Sequence, residues 1–454
     1  MEFEKRRISL LRMLIVLVAV AVVVLVSWDQ AVAAYSRLTQ PAISTWFAPY
    51  IDVTLTPTYQ FQDPSVDPIP YSVLGFVVAD RQNDCTPTWG TYFNLDGASR
   101  ELDLDRRIER VRERGGDVVV SFGGVANEEL AVACADVPAL RKAYGAVINR
   151  YGAQTIDFDI EGAAEADTAA NARRASAVRE LQARAKRLKR PLNVWLTLPV
   201  TPSGLTADGL SVVNAMLQAG VDVSGVNALV MDYGGSLPAG QSMGSANISA
   251  LRAVYSQLKR AYRRAGNSLS GRRLWERIGA TPMIGQNDSE GETFSLTDAE
   301  ALVSFARRVH LGRVSMWSAN RDYQCSVNAD TSVVSNVCSG VEQTPQAFTW
   351  ELGRLNAPMP DRARVPATSI RDRAPSRDNP DTSPYAIWTA GKAYVAGNKV
   401  VWHGEVYQAK WWSLANVPDA TVDHVWNTPW RDLGPVLPMD ARWATAMHSI
   451  RAWS

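Results

Sequence analysis

The chain has 454 residues, which is more than one average domain needs, and its composition is that of a globular protein with enough apolar residues for a large core. The formal net charge of +1 excludes a nucleic-acid partner, because there is no excess of Lys and Arg to neutralise phosphates. A neutral polymer remains compatible with this balance, and 15 tryptophans are more than a core of this size requires.

The N-terminus has the pattern of an export signal. Basic residues up to Arg12 precede an uncharged apolar run from Met13 to Trp28, and Ala31-Val32-Ala33 offers a small-residue cleavage site. The run is slightly short for a membrane span, which needs roughly 20 residues. Residues 1–34 are therefore predicted to be a cleaved signal peptide or a retained anchor, and both place the rest of the protein outside the cytoplasm, in the secreted or membrane-anchored state.

Residues 41–356 alternate short apolar runs rich in Val, Ile and Leu with amphipathic stretches. The predicted strands are Trp46–Leu55, Ser72–Ala79, Asp117–Gly124, Thr155–Glu161, Leu192–Val200, Val226–Tyr233, Ile278–Ile284 and Arg313–Ser318. The predicted helices are Leu104–Arg114, Pro138–Tyr151, Glu165–Leu188, Asp208–Ala219, Ile248–Ala265 and Thr297–His310. Eight strands alternating with helices predict an α/β fold of the (β/α)8 TIM-barrel type. A doubly wound sheet is the alternative, although no glycine-rich phosphate loop follows the first strand.

The four cysteines fit an oxidising compartment, and three pairings are open in principle. Cys85 and Cys134 follow the second and third predicted strands, whereas Cys325 and Cys338 share the loop after the eighth. This topology favours the pairings 85–134 and 325–338, which join neighbours without crossing the barrel. No Cys-x-x-Cys occurs and the histidines are scattered, so no metal site or cofactor is expected.

The C-terminal part changes character twice. Residues 357–383 are rich in Pro, Arg, Asp and Ser and are predicted to be an extended linker. Residues 384–435 are dense in aromatics and glycine turns, which predicts a small all-β module of three strands. Residues 436–454 form a tail without a clear pattern.

The end of the fourth strand carries the candidate chemistry. Asp157, Asp159 and Glu161 alternate with Phe158 and Ile160, so the three acids share one face, which in a barrel points inward at the catalytic mouth. Acids crowded into a partly dry cavity repel each other, so at least one retains a proton and its pKa rises. A structural alternative is an acidic strand end that binds a cation or forms salt bridges.

The stretch resembles the Asp-x-x-Asp-x-Asp-x-Glu signature of family 18 glycoside hydrolases, the chitinases and their relatives. Three other strand ends agree with this resemblance and are similar to the family's Ser-x-Gly-Gly, Met-x-Tyr and eighth-strand tryptophan: Ser121-Phe122-Gly123-Gly124, Met231-Asp232-Tyr233 and Met316-Trp317-Ser318. Taken singly, Ser121 with its glycines is also explained by a tight turn, and Trp317 by core packing. The four motifs occur in the expected order on the expected strands.

The resemblance implies a role for each of these side chains. Glu161 is the acid, Asp159 orients the N-acetyl group of the substrate, and Asp157 with Ser121 sets the protonation of that pair. Tyr233 holds the acetamido oxygen, Trp317 lies under the sugar, and the strand end at Met231 and Asp232 contacts substrate. The implied reaction is substrate-assisted retaining hydrolysis, for which this family needs no separate carboxylate nucleophile.

The sequence departs from the family pattern in three places. Gln154 replaces the first Asp of the signature, Ile160 replaces an aromatic residue, and Gly234 stands where Asp or Asn often follows the tyrosine, with Asp232 before it as a substitute. The stretches on either side of the seventh strand are too short for the extra subdomain of many relatives. A shallow open groove and endo-type cutting are therefore predicted.

The small module resembles carbohydrate-binding families 5 and 12, on the basis of Tyr385-Ala386-Ile387-Trp388 and Val406–Trp412. Adjacent Trp411 and Trp412 on a strand face opposite ways, which predicts one exposed indole for chitin and one in the core; the alternative is that both are buried. The expected protein is a monomeric secreted chitinase acting on an N-acetylglucosamine polymer. The alternatives are an endo-β-N-acetylglucosaminidase acting on glycans or peptidoglycan, and a chitin lectin without activity.

Overall fold

The computed structural model describes residues 45–82, 85–330, 332–355, 378–424 and 427–440. These residues all belong to the second of two compact units, Ser44–Ser454, the first unit being Met1–Ile43. The predicted leader at 1–34, most of the predicted linker and the tail from 441 onwards lie outside the described residues. Within the described ranges, every helix is too short or too polar to cross a membrane.

The eight predicted parallel strands are all present, with additional short strands between them. In chain order the strands up to residue 314 are β1 (Trp46–Phe47), β2 (Tyr50–Asp52), β3 (Tyr71–Ala79), β4 (Pro87–Trp89), β5 (Phe93–Asn94), β6 (Asp117–Gly123), β7 (Thr155–Asp159), β8 (Asn193–Thr201), β9 (Gly204–Leu205), β10 (Val223–Leu229), β11 (Ile278–Thr281), β12 (Gly285–Gln286), β13 (Thr293–Phe294) and β14 (Arg313–Val314). The parallel run is β2-β3-β6-β7-β8-β10-β11-β14-β1.

The first predicted strand consists of two pieces, β1 and β2. The ladder is interrupted at Ala48 and Pro49, because proline has no N–H to donate. The segment nevertheless bonds on both sides: Ala48 N donates to Val314 O at 3.1 Å, and Val73 N donates to Pro49 O at 2.8 Å. The architecture is therefore barrel-like, with the ladder open between β1 and β2.

The helices lie between the strands close to their predicted positions. They are α1 (Leu95–Glu101), α2 (Leu104–Glu113), α3 (Leu130–Ala133), α4 (Val137–Tyr151), α5 (Ala163–Ala166), α6 (Thr168–Arg187), α7 (Ala207–Gln218), α8 (Met243–Arg264), α9 (Arg272–Trp275), α10 (Leu296–Val309) and α11 (Ala347–Leu352). Short 3-10 turns cover Gly234–Ser236, Ala319–Arg321 and Gly353–Leu355.

One predicted helix, Glu165–Leu188, is divided into α5 and α6. Asp167 is extended, with φ −73° and ψ 91°, and its side chain accepts hydrogen bonds from the N–H groups of Ala169 and Ala170. This is the geometry of an N-cap, which begins a new helix and cannot continue the preceding one.

Side-chain alternation divides the core into two layers. Ile156, Phe158 and Ile160 pack outward among the helices in the large outer cluster. A second cluster fills the space inside the strands and contains Trp46, Ala48, Tyr50, Tyr71, Val73, Val119 and Trp195, with Phe76 and Trp317 packed against it. The inner layer therefore lies directly below the row of acids.

Both favoured disulfides are confirmed: Cys85 pairs with Cys134, and Cys325 with Cys338. The first joins the loops that follow β3 and β6, and the second closes the loop that follows β14.

The C-terminal module contains β15 (Ala393–Tyr394), β16 (Lys399–Trp402), β17 (Glu405–Ala409), β18 (Ser413–Leu414) and β19 (Trp430–Pro435). β16, β17 and β19 form a three-stranded sheet and β15 pairs with β18. Its own core contains Trp388, Tyr394, Val400, Tyr407, Ala409 and Trp430. Asp378, which was predicted to lie in the linker, accepts hydrogen bonds from the backbone N–H groups of His403 and Gly404, so the module begins before residue 384.

Candidate active site

The lowest of the three acids, Asp157, is completely buried and surrounded by donors. Its Oδ2 accepts hydrogen bonds from the hydroxyls of Tyr50 and Ser121, each at 2.8 Å. Its Oδ1 accepts from Thr197 Oγ1 at 2.7 Å and from the Arg313 guanidinium at 2.8 Å. Four donors around two oxygens require the acceptor-only carboxylate form.

Arg313 is the cation of this network and is itself fully buried. Its Nε donates to Ser315 Oγ at 2.8 Å, and its guanidinium lies 5.4 to 5.5 Å from the ring centres of Trp46, Tyr50 and Trp195. The sequence motifs did not identify it. Arg313 and Ser315 share the inward parity of Trp317 on the eighth strand, and that alternation was the available signal.

Asp159 is the next inward-facing residue towards the mouth, and its carboxyl group has fewer hydrogen-bond partners than that of Asp157. It is 4 % exposed, and its Oδ1 has no hydrogen-bond partner in the described structure. Burial, and then repulsion from Glu161 and Asp157, raises the pKa of Asp159 well above its ordinary value. Asp159 therefore keeps its proton to a higher pH than an ordinary aspartate does.

Glu161 follows β7 and is partly exposed. Burial, and then the nearby carboxylates of Asp232 and Glu165, raises the pKa of Glu161 to about 7. A carboxylic acid with this pKa is protonated for half of the molecules at neutral pH and is suited to general acid catalysis.

The turn after β6 explains both parts of the Ser-x-Gly-Gly motif. Ser121 supplies the hydroxyl that bonds Asp157, while Gly123 has φ +102° and a Cβ there would lie 2.0 Å from the Asp159 carbonyl oxygen. Gly124 N donates to that same carbonyl at 2.9 Å. The glycines therefore allow the backbone to approach β7 closely and hold the carbonyl of the second acid.

The Met-x-Tyr motif is arranged differently from the prediction. The Tyr233 hydroxyl donates to Asn247 Oδ1 on α8 at 2.9 Å, and the ring packs in the outer cluster. The predicted placement of Tyr233 against the acetamido oxygen is therefore not what the structure shows. Asp232 adopts φ +50°, and beyond this turn the chain places residue 233 in the outer layer.

Asp232 is the residue of this motif that faces the acids, since its carboxylate contributes to the raised pKa of Glu161. Its Oδ1 accepts a hydrogen bond from Ser289 N at 2.9 Å, and its own N–H donates to Asn287 at 3.3 Å. The loop between β12 and β13 therefore fixes this carboxylate. Met231 lies partly buried just after β10.

Trp317 stacks on Phe76, with ring centres 5.6 Å apart and planes at 26°, and lies 6.2 Å from Tyr50. It is partly buried and lies beside Tyr50, whose hydroxyl bonds Asp157, while its position under the sugar stays a prediction. Phe76 was missed because no motif marks it. Phe76 lies on β3 just beyond the residues that pair with β2, and side-chain alternation alone does not predict that it contacts Trp317.

Trp411 and Trp412 of the module are both exposed, by 45 % and 61 %. The prediction that one is buried is wrong, because β17 ends at Ala409 and the two residues lie in the bend before β18. Strand alternation does not apply to a bend, so both indoles face solvent.

No protein-family profile matches the chain. Over 289 residues, 62 % of its length, the chain is 35 % identical to the "probable bifunctional chitinase/lysozyme" of Escherichia coli (strain K12), of which this covers 31 %. Over 283 residues it is 34 % identical to "endochitinase 11" of Metarhizium anisopliae, covering 61 % of this chain and 52 % of that protein. The chain thus spans about a third of the first of these curated relatives and about half of the second.

Among solved structures, the catalytic domain of the hyperthermophilic chitinase from Pyrococcus furiosus is similar with a TM-score of 0.59 and 29 % identity, covering 69 % of this chain and 96 % of that one. Catalytic-site mutants of active domain 2 of a chitinase from the same organism give a TM-score of 0.59 at 28 % identity. The large domain of this chain is therefore similar in sequence and structure to chitinase catalytic domains and has a (β/α)8-barrel-like fold.

Proposed function

We propose that the protein is an extracellular glycoside hydrolase that cuts β-1,4-linked N-acetylglucosamine polymers by substrate-assisted retaining catalysis. The observation that carries this proposal is the gradient along one strand: Asp157 is saturated with donors, Asp159 lacks a partner and Glu161 has a pKa of about 7. The likeness to proteins named as chitinases supports chitin as the substrate class.

In the proposed reaction Glu161 donates its proton to the glycosidic oxygen as the bond to the anomeric carbon breaks. The carbonyl oxygen of the substrate's N-acetyl group attacks that carbon, giving an oxazolinium ion with its positive charge beside Asp159. Water then opens the ring, and Glu161 takes the proton from this water, so that the enzyme returns to its starting state.

Asp159 is suited to orient the acetamido group because its Oδ1 needs a donor. The substrate N–H supplies one, and a hydrogen bond to the ionised form favours ionisation. Substrate binding is therefore expected to lower the pKa of Asp159 in the complex. Ionised Asp159 then stabilises the positive charge of the oxazolinium ion.

Glu161→Gln tests the assignment of the acid. We expect cleavage of chitin hexamer to fall by at least about 100-fold, because the proton donor is lost while the shape of the site is kept. Glu165→Gln is the matched control: it removes a nearby acid whose pKa is also raised, to about 6, and should retain most activity. Equal activity of Glu161→Gln and the wild type would contradict the proposal, and an inactive wild type would favour the lectin.

We also propose endo-type cutting in an open groove. The connection 282–295 after β11 contains the β12–β13 hairpin and no larger insertion. Long chitin chains should first give fragments of mixed length, and dimers as the main early product would contradict this proposal.

Peptidoglycan is the second candidate substrate, favoured by the word lysozyme in the name of the Escherichia coli relative. Product analysis on chitin hexamer and on peptidoglycan in parallel distinguishes the two. For the proposed location outside the cytoplasm, the N-terminus of the exported protein is the measurement: a start after Ala33 indicates cleavage, and retention of Met13–Trp28 indicates an anchor.

A further inference from the structure

The C-terminal module packs on the outer face of α2, and the contact includes buried charges. The Arg106 guanidinium bonds both oxygens of Asp440, at 2.9 and 3.1 Å, and the Pro435 carbonyl at 2.9 Å. Both charged side chains are only 4 % exposed. Asp440 depends on this pair, because without Arg106 it would be left as an uncompensated buried charge, whereas Arg106 also pairs with Asp103 at 2.8 Å.

A second buried group, Asp103 at the start of α2, joins the two parts from the barrel side. Lys399 of β16 donates to its Oδ2 at 2.5 Å and the Tyr385 hydroxyl to its Oδ1 at 3.0 Å. Burial alone would raise the pKa of Asp103, but Lys399 and Arg106 outweigh it and lower the pKa. Asp103 is therefore compensated by two cations, Arg106 of its own helix and Lys399 of the module.

The edge of the contact adds two more ion pairs and a close backbone approach. Arg110 pairs with Asp432 at 2.8 Å, and Arg431 pairs with Asp63 at 2.9 Å. Gly434 has φ +118°, and a Cβ there would lie 2.3 Å from the Arg106 carbonyl oxygen. Packing this close requires the module's backbone to lie directly on the helix.

These contacts differ from the sequence-based expectation of a module held only by a linker. Moving the module away from α2 would break the Arg106–Asp440 and Lys399–Asp103 pairs and leave Asp103 and Arg106 with only each other, 2.8 Å apart. The exposed indoles begin close to this contact, since Arg431, which pairs with Asp63, lies opposite Gln408 on β17, three residues before Trp411.

We infer that the module and the barrel act as one rigid body, so that the surface formed by Trp411 and Trp412 holds the barrel in a fixed orientation on an insoluble polysaccharide. This inference rests on the proposed function, because it takes the exposed indole surface as the part that meets the polymer. It assigns the α2 contact a role in orienting the enzyme, beyond that of keeping it nearby.

The test uses the full chain and reverses two module-side charges at the contact, Lys399→Glu with Arg431→Glu, which then face Asp103 and Asp63. The control, Lys392→Glu with Lys142→Glu, makes the same charge change at two exposed positions outside the contact pairs described above. Calorimetry, binding to insoluble chitin, hydrolysis of chitin hexamer and hydrolysis of insoluble chitin are measured for both.

We expect the contact variant to unfold in two transitions, the wild type and the control in one. Hexamer hydrolysis and chitin binding should be unchanged, while hydrolysis of insoluble chitin should fall about tenfold. Simultaneous engagement of two linked sites can contribute about 100-fold or more. The expected loss is smaller because the covalent link between module and barrel remains. The milder pair Lys399→Met with Arg431→Gln should show the same pattern to a smaller degree if the reversed variant folds poorly.

Hydrolysis of insoluble chitin at the control's rate, together with two transitions, would overturn the inference, because it would show that a tethered module is sufficient. A single transition in the contact variant would also overturn it. Failure of every protein to bind or cleave chitin would refute the proposed function, whereas the number of transitions would still report on the rigid contact.

Discussion

The lower and upper parts of the acid row along β7 differ in the hydrogen-bond and charge partners of their carboxyl groups. At the lower part, Asp157 has four donors and a buried cation, whereas at the upper part Asp159 lacks a partner and Glu161 is surrounded by other acids. The difference shows that the fold satisfies one charge completely and leaves the next two for the substrate. Burial, and then the carboxylates of Glu161 and Asp157, keeps the pKa of Asp159 raised.

The largest expected effect on this difference comes from removing the buried cation, Arg313, of the lower part. In Arg313→Met the Asp157 carboxylate remains buried without its cation, and we expect the free energy of unfolding to fall by about 3–5 kcal/mol. Denaturant unfolding at pH 7 measures the change. Arg354→Met removes one partner of an exposed pair with Glu351 and should cost at most about 1 kcal/mol. A loss of similar size in the two variants would contradict the role given to Arg313.

A change in the upper part should separate activity from stability. We expect Asp159→Asn to lower the rate of chitin hexamer hydrolysis by about 100-fold. This corresponds to an activation free energy that is higher by about 2.7 kcal/mol. Stability should not fall. The raised pKa of Asp159 in the folded protein means that its ionisation costs stability as pH rises above the ordinary aspartate value, and Asn abolishes this cost. An Asp159→Asn variant that is less stable than the wild type but equally active would contradict the role given to Asp159 in the reaction.

The smallest effect should come from the neighbouring carboxylate of Asp232. Glu161 works as an acid in its protonated form, so activity should decline as pH rises through about 7. Asp232→Asn removes a negative charge that favours this proton, lowers the pKa of Glu161 and moves the alkaline limb of kcat/KM to lower pH by up to about one unit. Asp222→Asn, at the opposite end of β10 and 84 % exposed, should leave the profile unchanged. An alkaline limb that stays in place in Asp232→Asn would exclude this coupling.

Much of the site could be predicted because strand alternation is a local rule. The inward direction of Asp157, the outward direction of Phe158 and the pairing of loop cysteines follow from position along a strand and strand order. The same rule failed where the strand had already ended: Tyr233 lies beyond a left-handed turn at Asp232, and Trp411 and Trp412 lie in a bend. Sequence patterns place strand ends less accurately than strand centres, and each of these errors lies at an end.

The sequence by itself determined which residues alternate, in which order the motif-bearing strands follow and that a second small aromatic module lies after the barrel, because these features depend on neighbours within a few positions. Only the tertiary structure decided that Arg313 neutralises Asp157 across 156 positions of chain, that the Tyr233 hydroxyl bonds Asn247, and that the module rests on α2 through Arg106 and Asp440. Such contacts depend on which distant groups become buried together, and the free energy of pairing them is set by the packed fold as a whole.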